Sequence, residues 1–339
     1  MSGIEWTDRS DWNPTRGCTR VSEGCRNCYA ERIAARFSDQ GQPFHGVAER
    51  TAAGPRWTGK VELIEERLGR PLRWRKPARI FVNSTHDLFH ESVPDEWIDR
   101  VFAVMALAPQ HTFQLLTKRP LRMLDYLKGH AGGGRHIWKA AQEIKMPGGR
   151  HKPDTTWPLP NVWIGVSCED QPSADKRIPL LLQVPAAVRF VSAEPLLGPI
   201  NLAQAAYGKG HPRPPPEIQA RQINHPVAGI DWVIAGGESG PRARPCELAW
   251  IRSIVTECRE AEVPCFVKQL GARPIIYHRE ALQVEASGGR VEWDDSGEFL
   301  SARPILRSRA GSGPAEWPVD LANIRQFPQT RVAQRKPEV

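Results

Sequence analysis

Cys18, Cys25 and Cys28 fall within eleven residues, in the run TRGCTRVSEGCRNCYAE, with the spacing Cys-x6-Cys-x2-Cys. Three thiolates are one ligand short of a closed tetrahedral zinc site or a fully ligated iron–sulfur cluster. Such a set either recruits a distant residue or keeps an open metal position, and open positions are where metal chemistry happens. Two readings stay open on this spacing. One is a [4Fe–4S] cluster held through three irons, with the fourth free for a substrate or cosubstrate. The other is a structural zinc completed by a remote Cys or His, for which Cys168, His86 and His90 are the candidates. His86 and His90 lie four apart beside Asp87, a spacing that serves a metal pair or, equally, caps and packing groups. Cys168 reads as a small buried residue, Cys258 sits in a core stripe, and Cys246 and Cys265 have no spacing argument.

The elements that must position this loop alternate along the chain. Strand candidates are residues 78–84, 112–117, 161–167, 188–194, 231–237 and 264–269, with 4–7 and 60–64 as weaker ones. Each of the six is nearly continuously apolar, the pattern of a parallel strand covered on both faces. Between them lie helical stripes. Pro94 opens one bearing Trp97, Ile98, Val101, Phe102 and Met105, and Pro120 starts another that Gly129 can end. A third carries Leu248, Ile251, Ile254, Val255 and Cys258. A helix follows the cysteine loop directly and is expected to turn Tyr29, Ile33, Ala34 and Phe37 inward. Strand–helix repetition of this kind gives an α/β fold with a parallel sheet, a partial or complete β/α (TIM-like) barrel.

The barrel is expected over residues 1–275, interrupted by Gly-, Pro- and basic-rich surface insertions at about 129–158 and 203–228. A C-terminal extension packing on the barrel is expected over 276–328, and a disordered tail over 329–339. A net charge of +8 argues for a polyanionic partner such as nucleic acid. The twelve Trp could stack on bases, although most should fill the core or its rim. No apolar run of about 18 residues occurs and the start has no signal pattern, so a cytoplasmic chain with no membrane association is expected. Seven cysteines, an odd number with three bunched, fit metal binding in a reducing compartment better than a disulfide framework.

Several runs together carry a resemblance: IEWTDRSDWNPTRGC, GCRNCYAE, FVNSTHDLFHESVPDEWIDRVFAVMALAPQHTFQLLTKRP, LPNVWIGVSCEDQPSADKRIPLLLQ, VRFVSAEPLLGPI and DWVIAGGESGPRARP. They resemble a phage-associated family of unknown function with a three-cysteine motif, itself similar to radical S-adenosylmethionine (SAM) enzymes. The resemblance spans about residues 3–275 outside the insertions. It implies a partial barrel whose [4Fe–4S] cluster, bound by Cys18, Cys25 and Cys28, reductively cleaves SAM to a 5′-deoxyadenosyl radical. An external electron donor is then required, and a partner protein is a further expectation.

Polar residues at successive strand ends would ring the barrel mouth, where active sites of this architecture sit. Asn83, Ser84 and Asp87 follow one strand, Thr117, Lys118 and Arg119 the next. Ser167 with Glu169, Ser192 with Glu194, Glu238 with Ser239, and Lys268 with Gln269 follow the rest. Acids suit the hydroxyls and ammonium of SAM, and Lys or Arg its carboxylate. Asn83, Ser84, Asp87, Lys118, Ser167, Glu238 and Ser239 are therefore expected to bind the cosubstrate. Gly236 and Gly237 would let backbone N–H groups approach it. Glu194 and Lys268, each directly after a buried run, are expected to be catalytic. The leading expectation is a radical SAM-like enzyme modifying or repairing a nucleic acid or nucleotide. The alternative is a non-catalytic nucleic-acid-binding protein whose cysteine loop holds a structural zinc or cluster.

Overall fold

The six apolar runs form one parallel sheet in the computed structural model of the chain. It describes residues 4–130, 134–144, 156–208, 227, 229–286, 290–294, 301–304, 306 and 311–328. The strands are β1 (Arg79–Phe81), β2 (Thr112–Thr117), β3 (Val162–Ser167), β4 (Val188–Ala193), β5 (Trp232–Gly236) and β6 (Cys265–Gln269). Each is hydrogen-bonded to its neighbours in sequence, in the order β1-β2-β3-β4-β5-β6. A parallel neighbour can be reached only by a crossover, and helices make them. After α1 (Tyr29–Arg36), which follows the cysteine loop, α2 (Asp95–Leu107) joins β1 to β2. The β2–β3 connection holds α3 (Pro120–Leu124) and α4 (Arg135–Glu143). Then α5 (Gln171–Leu181), α6 (Leu202–Tyr207) and α7 (Leu248–Glu260) lead to β4, β5 and β6.

The sheet curls into a half-barrel with β1 and β6 at its edges, so of the two closures expected the partial one is found. Each edge is touched by an incoming segment. Arg9 bridges Ile80 of β1, and Arg325 bridges Phe266 of β6. The weak strand candidate at 4–7 is a turn instead. The one at 60–64 contributes only Glu62–Leu63, paired antiparallel with Thr15–Arg16 just before Cys18. Cys246–Glu247, Pro274–Tyr277, Ser301–Pro304 and Val291–Asp294 make a second, four-stranded sheet. The two insertions are described only in part, and the tail at 329–339 lies outside the described residues.

The strands' period of two divides the core. Outward side chains such as Ile80, Leu115, Ile164, Val191, Val233 and Val267 are buried beneath the helices. Inward ones in the lower part of the sheet, Phe81, Trp163, Phe190, Trp232 and Phe266, pack with Trp6 into a separate cluster that fills the bottom of the half-barrel. Trp232 is its centre, with ring centroids of Trp6, Trp163, Phe190, Phe266 and Phe327 at 5.4–6.3 Å. Gly165 makes room for this packing, since a Cβ there would come within 2.5 Å of the Phe190 ring.

The helix after the cysteine loop departs from expectation. Of the four residues expected inward only Ala34 is buried, beside Ala30, Glu31 and Ala35, while Tyr29, Ile33 and Phe37 are exposed. The hairpin Ala48–Thr51/Gly54–Trp57 approaches its alanine face, where Ala34, Ala35 and Ala48 cluster with Phe44 and Trp57. Small residues permit that close approach. Bulky ones on this face would hold the hairpin off.

Candidate active site in the half-barrel mouth

Above the aromatic floor the inward positions turn polar, and a cavity of about 780 Å³ opens. That is within the size range of small-molecule and cofactor sites. Cys18, Cys25 and Cys28 all line it, and so do Glu194, Lys268, Ser167, Ser192, Lys118, Glu238 and Ser239 from the strand ends. The loop and the ring therefore face one space.

Several ring residues hold the loop down. Glu169, just past β3, accepts from Ser22 Oγ at 3.1 Å. Gly24 lies so close that a Cβ would sit 2.3 Å from the same carboxylate. Lys118 Nζ approaches Glu169 Oε1 at 2.7 Å and Arg177 Nη1 approaches Oε2 at 3.0 Å. Burial alone would raise the Glu169 carboxyl, but these two cations outweigh it and hold its pKa below the ordinary value. Glu238, past β5, accepts from Asn27 Nδ2 at 3.0 Å and pairs with Arg244, whose Nη1 donates to Glu23 O at 2.9 Å. Asn27 is one of the two residues between the second and third cysteines, directly before Cys28. Arg119, after β2, donates to Thr19 Oγ1 at 2.7 Å and Thr19 O at 3.1 Å, and lies 3.8 Å from Cys18 Sγ. Asp87 in turn orients Arg119 at 3.2 Å. Gly17, at φ 98°, makes the turn into the loop, and a Cβ there would strike Lys60 O at 2.0 Å.

The expected cosubstrate residues therefore divide. Asp87, Lys118 and Glu238 line the cavity, yet each already has a charged partner within the chain. Asn83, at φ 55°, a left-handed conformation asparagine tolerates, bonds to Thr15, and Ser84 Oγ donates to Ser10 O. Gly237 does not offer its N–H to the cavity, because it donates to Gln269 O at 3.1 Å. Gly236 lies behind Glu194, where a Cβ would meet Oε1 at 2.8 Å. These glycines let β5, β6 and Glu194 approach one another. Ser167, Ser192 and Ser239 remain as neutral hydroxyls on the cavity wall. Asn27, Arg244, Glu5 and Trp6 were not anticipated. The position of Asn27 inside the Cys-x2-Cys segment was the one sequence signal for any of them.

Glu194 and Lys268 come together deep in the cavity, with Lys268 Nζ 3.2 Å from Glu194 Oε1. Glu5 belongs to the same group. Burial raises its pKa, Arg325 and Lys268 oppose that, and Glu194 adds to it. Ile4, Trp6, Phe81 and Leu116 on the wall surround the Glu194–Lys268 pair and Glu5, which pairs with Arg325 at 3.1 Å.

The thiols are free, and burial pushes Cys18 up to about 12, with Asp87 adding to the rise and Arg119 opposing it. Among the described residues no three His, Cys, Asp or Glu side chains stand ready to hold a single metal ion. The candidate fourth zinc ligands are engaged elsewhere. His86 Nε2 bonds to Thr15 Oγ1, while His90 Nε2 lies 3.0 Å from Thr19 Oγ1 and its Nδ1 accepts from Ser92 N at 3.1 Å. Cys168 is fully buried, with its thiol also pushed up to about 12 by burial. Both histidines therefore brace the strand and loop around Cys18.

An α/β half-barrel with a three-thiol loop across its mouth is the class that fold and site define. Residues 1–296 match the family described as protein of unknown function (DUF5131), and the chain belongs to it. No curated protein and no solved structure matches the chain.

Proposed function

We propose that the chain is a radical SAM-type iron–sulfur enzyme acting on a nucleic acid or nucleotide. The observation that carries this is the sharing of one cavity by Cys18, Cys25, Cys28 and the Glu194–Lys268 pair. The donor set fits a cluster better than one ion. Zinc needs all its donors about 2.3 Å from one point, whereas a four-iron cluster distributes three thiolates over three irons. When bound, such a cluster supplies the electron that splits SAM and starts radical chemistry.

The chain's own share is positioning and electrostatics. Arg119 beside Cys18 favours the thiolate, offsetting part of the cost of its burial. The Glu169 and Glu238 anchors hold the cysteine loop against the strand ends. Ser167, Ser192 and Ser239 offer hydroxyls to the cosubstrate's polar groups. Lys268 and Glu194, above an apolar floor, offer one donor and one acceptor to the substrate in a region of low dielectric.

Anaerobic purification tests the proposal. The expected product is a brown protein with about four irons per chain, which forms 5′-deoxyadenosine from SAM and a reductant. Cys18→Ala, Cys25→Ala and Cys28→Ala should each lose both. A colourless protein holding one tightly bound zinc overturns it.

A further inference from the structure

The exposed face of α1 is unusual in what it carries. Tyr29, Ile33 and Phe37 stand four apart on one stripe and are 44%, 42% and 41% exposed. Nearby Val21, in the cysteine loop, is 42% exposed. Among the large hydrophobic residues exposed in the described chain, Tyr29, Ile33 and Phe37 share one helix stripe at four-residue spacing. Isolated exposed apolar residues need no explanation, but a contiguous row does.

The exposed charges on the helix itself are positive, while the exposed acids Glu23 and Asp39 flanking it pair with Arg26 and Arg50. Arg32 and Arg36 are exposed on the same helix, and Arg26 is exposed just before it. The helix's single acid, Glu31, is buried and paired with Arg20. Arg36 lies over the Phe37 ring, 5.5 Å from its centroid. Tyr29 and Arg32 also line the cavity, so the row runs from open solvent to the mouth.

We infer that this face of α1 is a track for single-stranded nucleic acid, leading one nucleotide into the cavity. The inference rests on the proposed function for the identity of the site it serves. Arginines interleaved with stackable rings are what an unpaired strand recognises, through phosphate charge and base faces together. A duplex fits poorly. Its bases are stacked at about 3.4 Å and offer no free face, while the side chains here recur about every 6 Å along the helix, four residues at 1.5 Å each. A protein partner would make use of the apolar row, but the exposed Arg32 and Arg36 beside it favour a polyanion.

Fluorescence anisotropy of the full chain tests the inference. The probes are a labelled 12-nucleotide single strand, as DNA and as RNA, and the matching duplexes, at 50 to 200 mM salt. Binding is measured without SAM or reductant, so its outcome is independent of the iron and 5′-deoxyadenosine measurements that decide the enzyme reading. A single strand of either sugar should bind at least tenfold tighter than its duplex. Phe37→Ala should weaken that binding about tenfold, the loss of one stacked base. Arg36→Ala should lower the slope of log affinity against log salt by about 1. Leu121→Ala, exposed on α3, is the control and should bind like the parent. Equal binding of duplex and single strand overturns the track. Phe37→Ala binding within twofold of the parent overturns it too, and is the result a protein-docking face would give. Circular dichroism of the variants excludes misfolding as the cause of a loss.

Discussion

The floor and the mouth of the half-barrel are built by the same six strands and do opposite things. Inward positions in the lower part of the sheet hold Phe81, Trp163, Phe190, Trp232 and Phe266, which pack on one another and on Trp6 and Phe327. A few residues further along, the inward positions are Asn83, Lys118, Ser167, Ser192, Glu194 and Lys268, which line the cavity. The floor is held by dispersion and water exclusion, which are short-ranged and insensitive to pH. The mouth is held by ion pairs and hydrogen bonds between residues far apart in sequence, 211 residues in the case of Asn27 and Glu238. One strand thus carries stability at one end and site geometry at the other.

The largest effect should come from breaking the floor. Trp232 is fully buried and its Nε1 donates to Gln326 O at 2.9 Å, which ties the C-terminal segment to the sheet. Trp232→Ala should cost roughly 3–5 kcal/mol in urea unfolding, the range for a large aromatic removed from a core. A smaller loss there than in any mouth variant would reverse the assignment of stability to the floor.

The next largest effect should come from Glu169. Its side chain is 2% exposed, and its partners Arg177 and Lys118 are 7% and 19% exposed. Glu169→Ala leaves two cations without their anion and should cost about 3 kcal/mol, toward the lower end for a broken buried pair because Lys118 retains some water. The pH dependence has a definite sign. A carboxyl whose folded pKa lies below its unfolded value stabilises fully above that unfolded value, near 4.5, and loses the contribution as pH falls through the lowered one. Glu238, also held low against its burial by Arg244 and Asn27, acts in the same direction. The parent should therefore lose stability on acidification below about pH 4.5, and Glu169→Gln should flatten that loss. Urea midpoints between pH 3 and 7 check it.

The sheet was legible in the sequence because strands buried on both faces must be apolar throughout, and their bounds shift by at most a few residues at β1. The polar ring was legible for the same reason, since a charge ending a buried run has to emerge at the mouth. The pairings within the ring were not. Nothing local to Glu238 announces Asn27, and nothing local to Lys118 announces Glu169. Charged strand ends therefore read as ligand contacts when three of them are anchors. The face of α1 was misread because periodicity weighs bulk. Tyr29, Ile33 and Phe37 make the heavier stripe, but Ala30, Ala34 and Ala35 make the face that lets the hairpin approach closely.

Gly165→Ala sharpens the comparison within the floor. The added methyl would sit 2.5 Å from the Phe190 ring, a part of the aromatic cluster with no flexible end to yield. Overpacking of this kind should cost about 1–3 kcal/mol, less than removing Trp232. The iron proposed for the thiols should be retained, because the strain is at the bottom of the barrel and the thiols are at the top. A variant that loses iron before it loses folding would show that floor and mouth are coupled.

The smallest effect is the most discriminating, because it reverses a sign. Glu5 sits at the boundary between the two regions, where burial raises its pKa, Arg325 and Lys268 lower it, and Glu194 raises it further. An acid whose folded pKa lies above its unfolded value stabilises below that unfolded value, and the contribution disappears as pH rises through the raised one. Glu5 therefore favours the folded state in acid, where Glu169 and Glu238 disfavour it. Glu5→Gln removes that term and relieves the repulsion with Glu194. Arg325 keeps its contacts with the Phe266 and Trp317 rings, at 5.4 and 5.5 Å. The variant should match or slightly exceed the parent at pH 7, within about 0.5 kcal/mol, and fall below it near pH 4. A variant that is destabilised at pH 7 and unchanged in acid would place Glu5 with the mouth anchors, held by its arginine rather than raised by the floor beneath it.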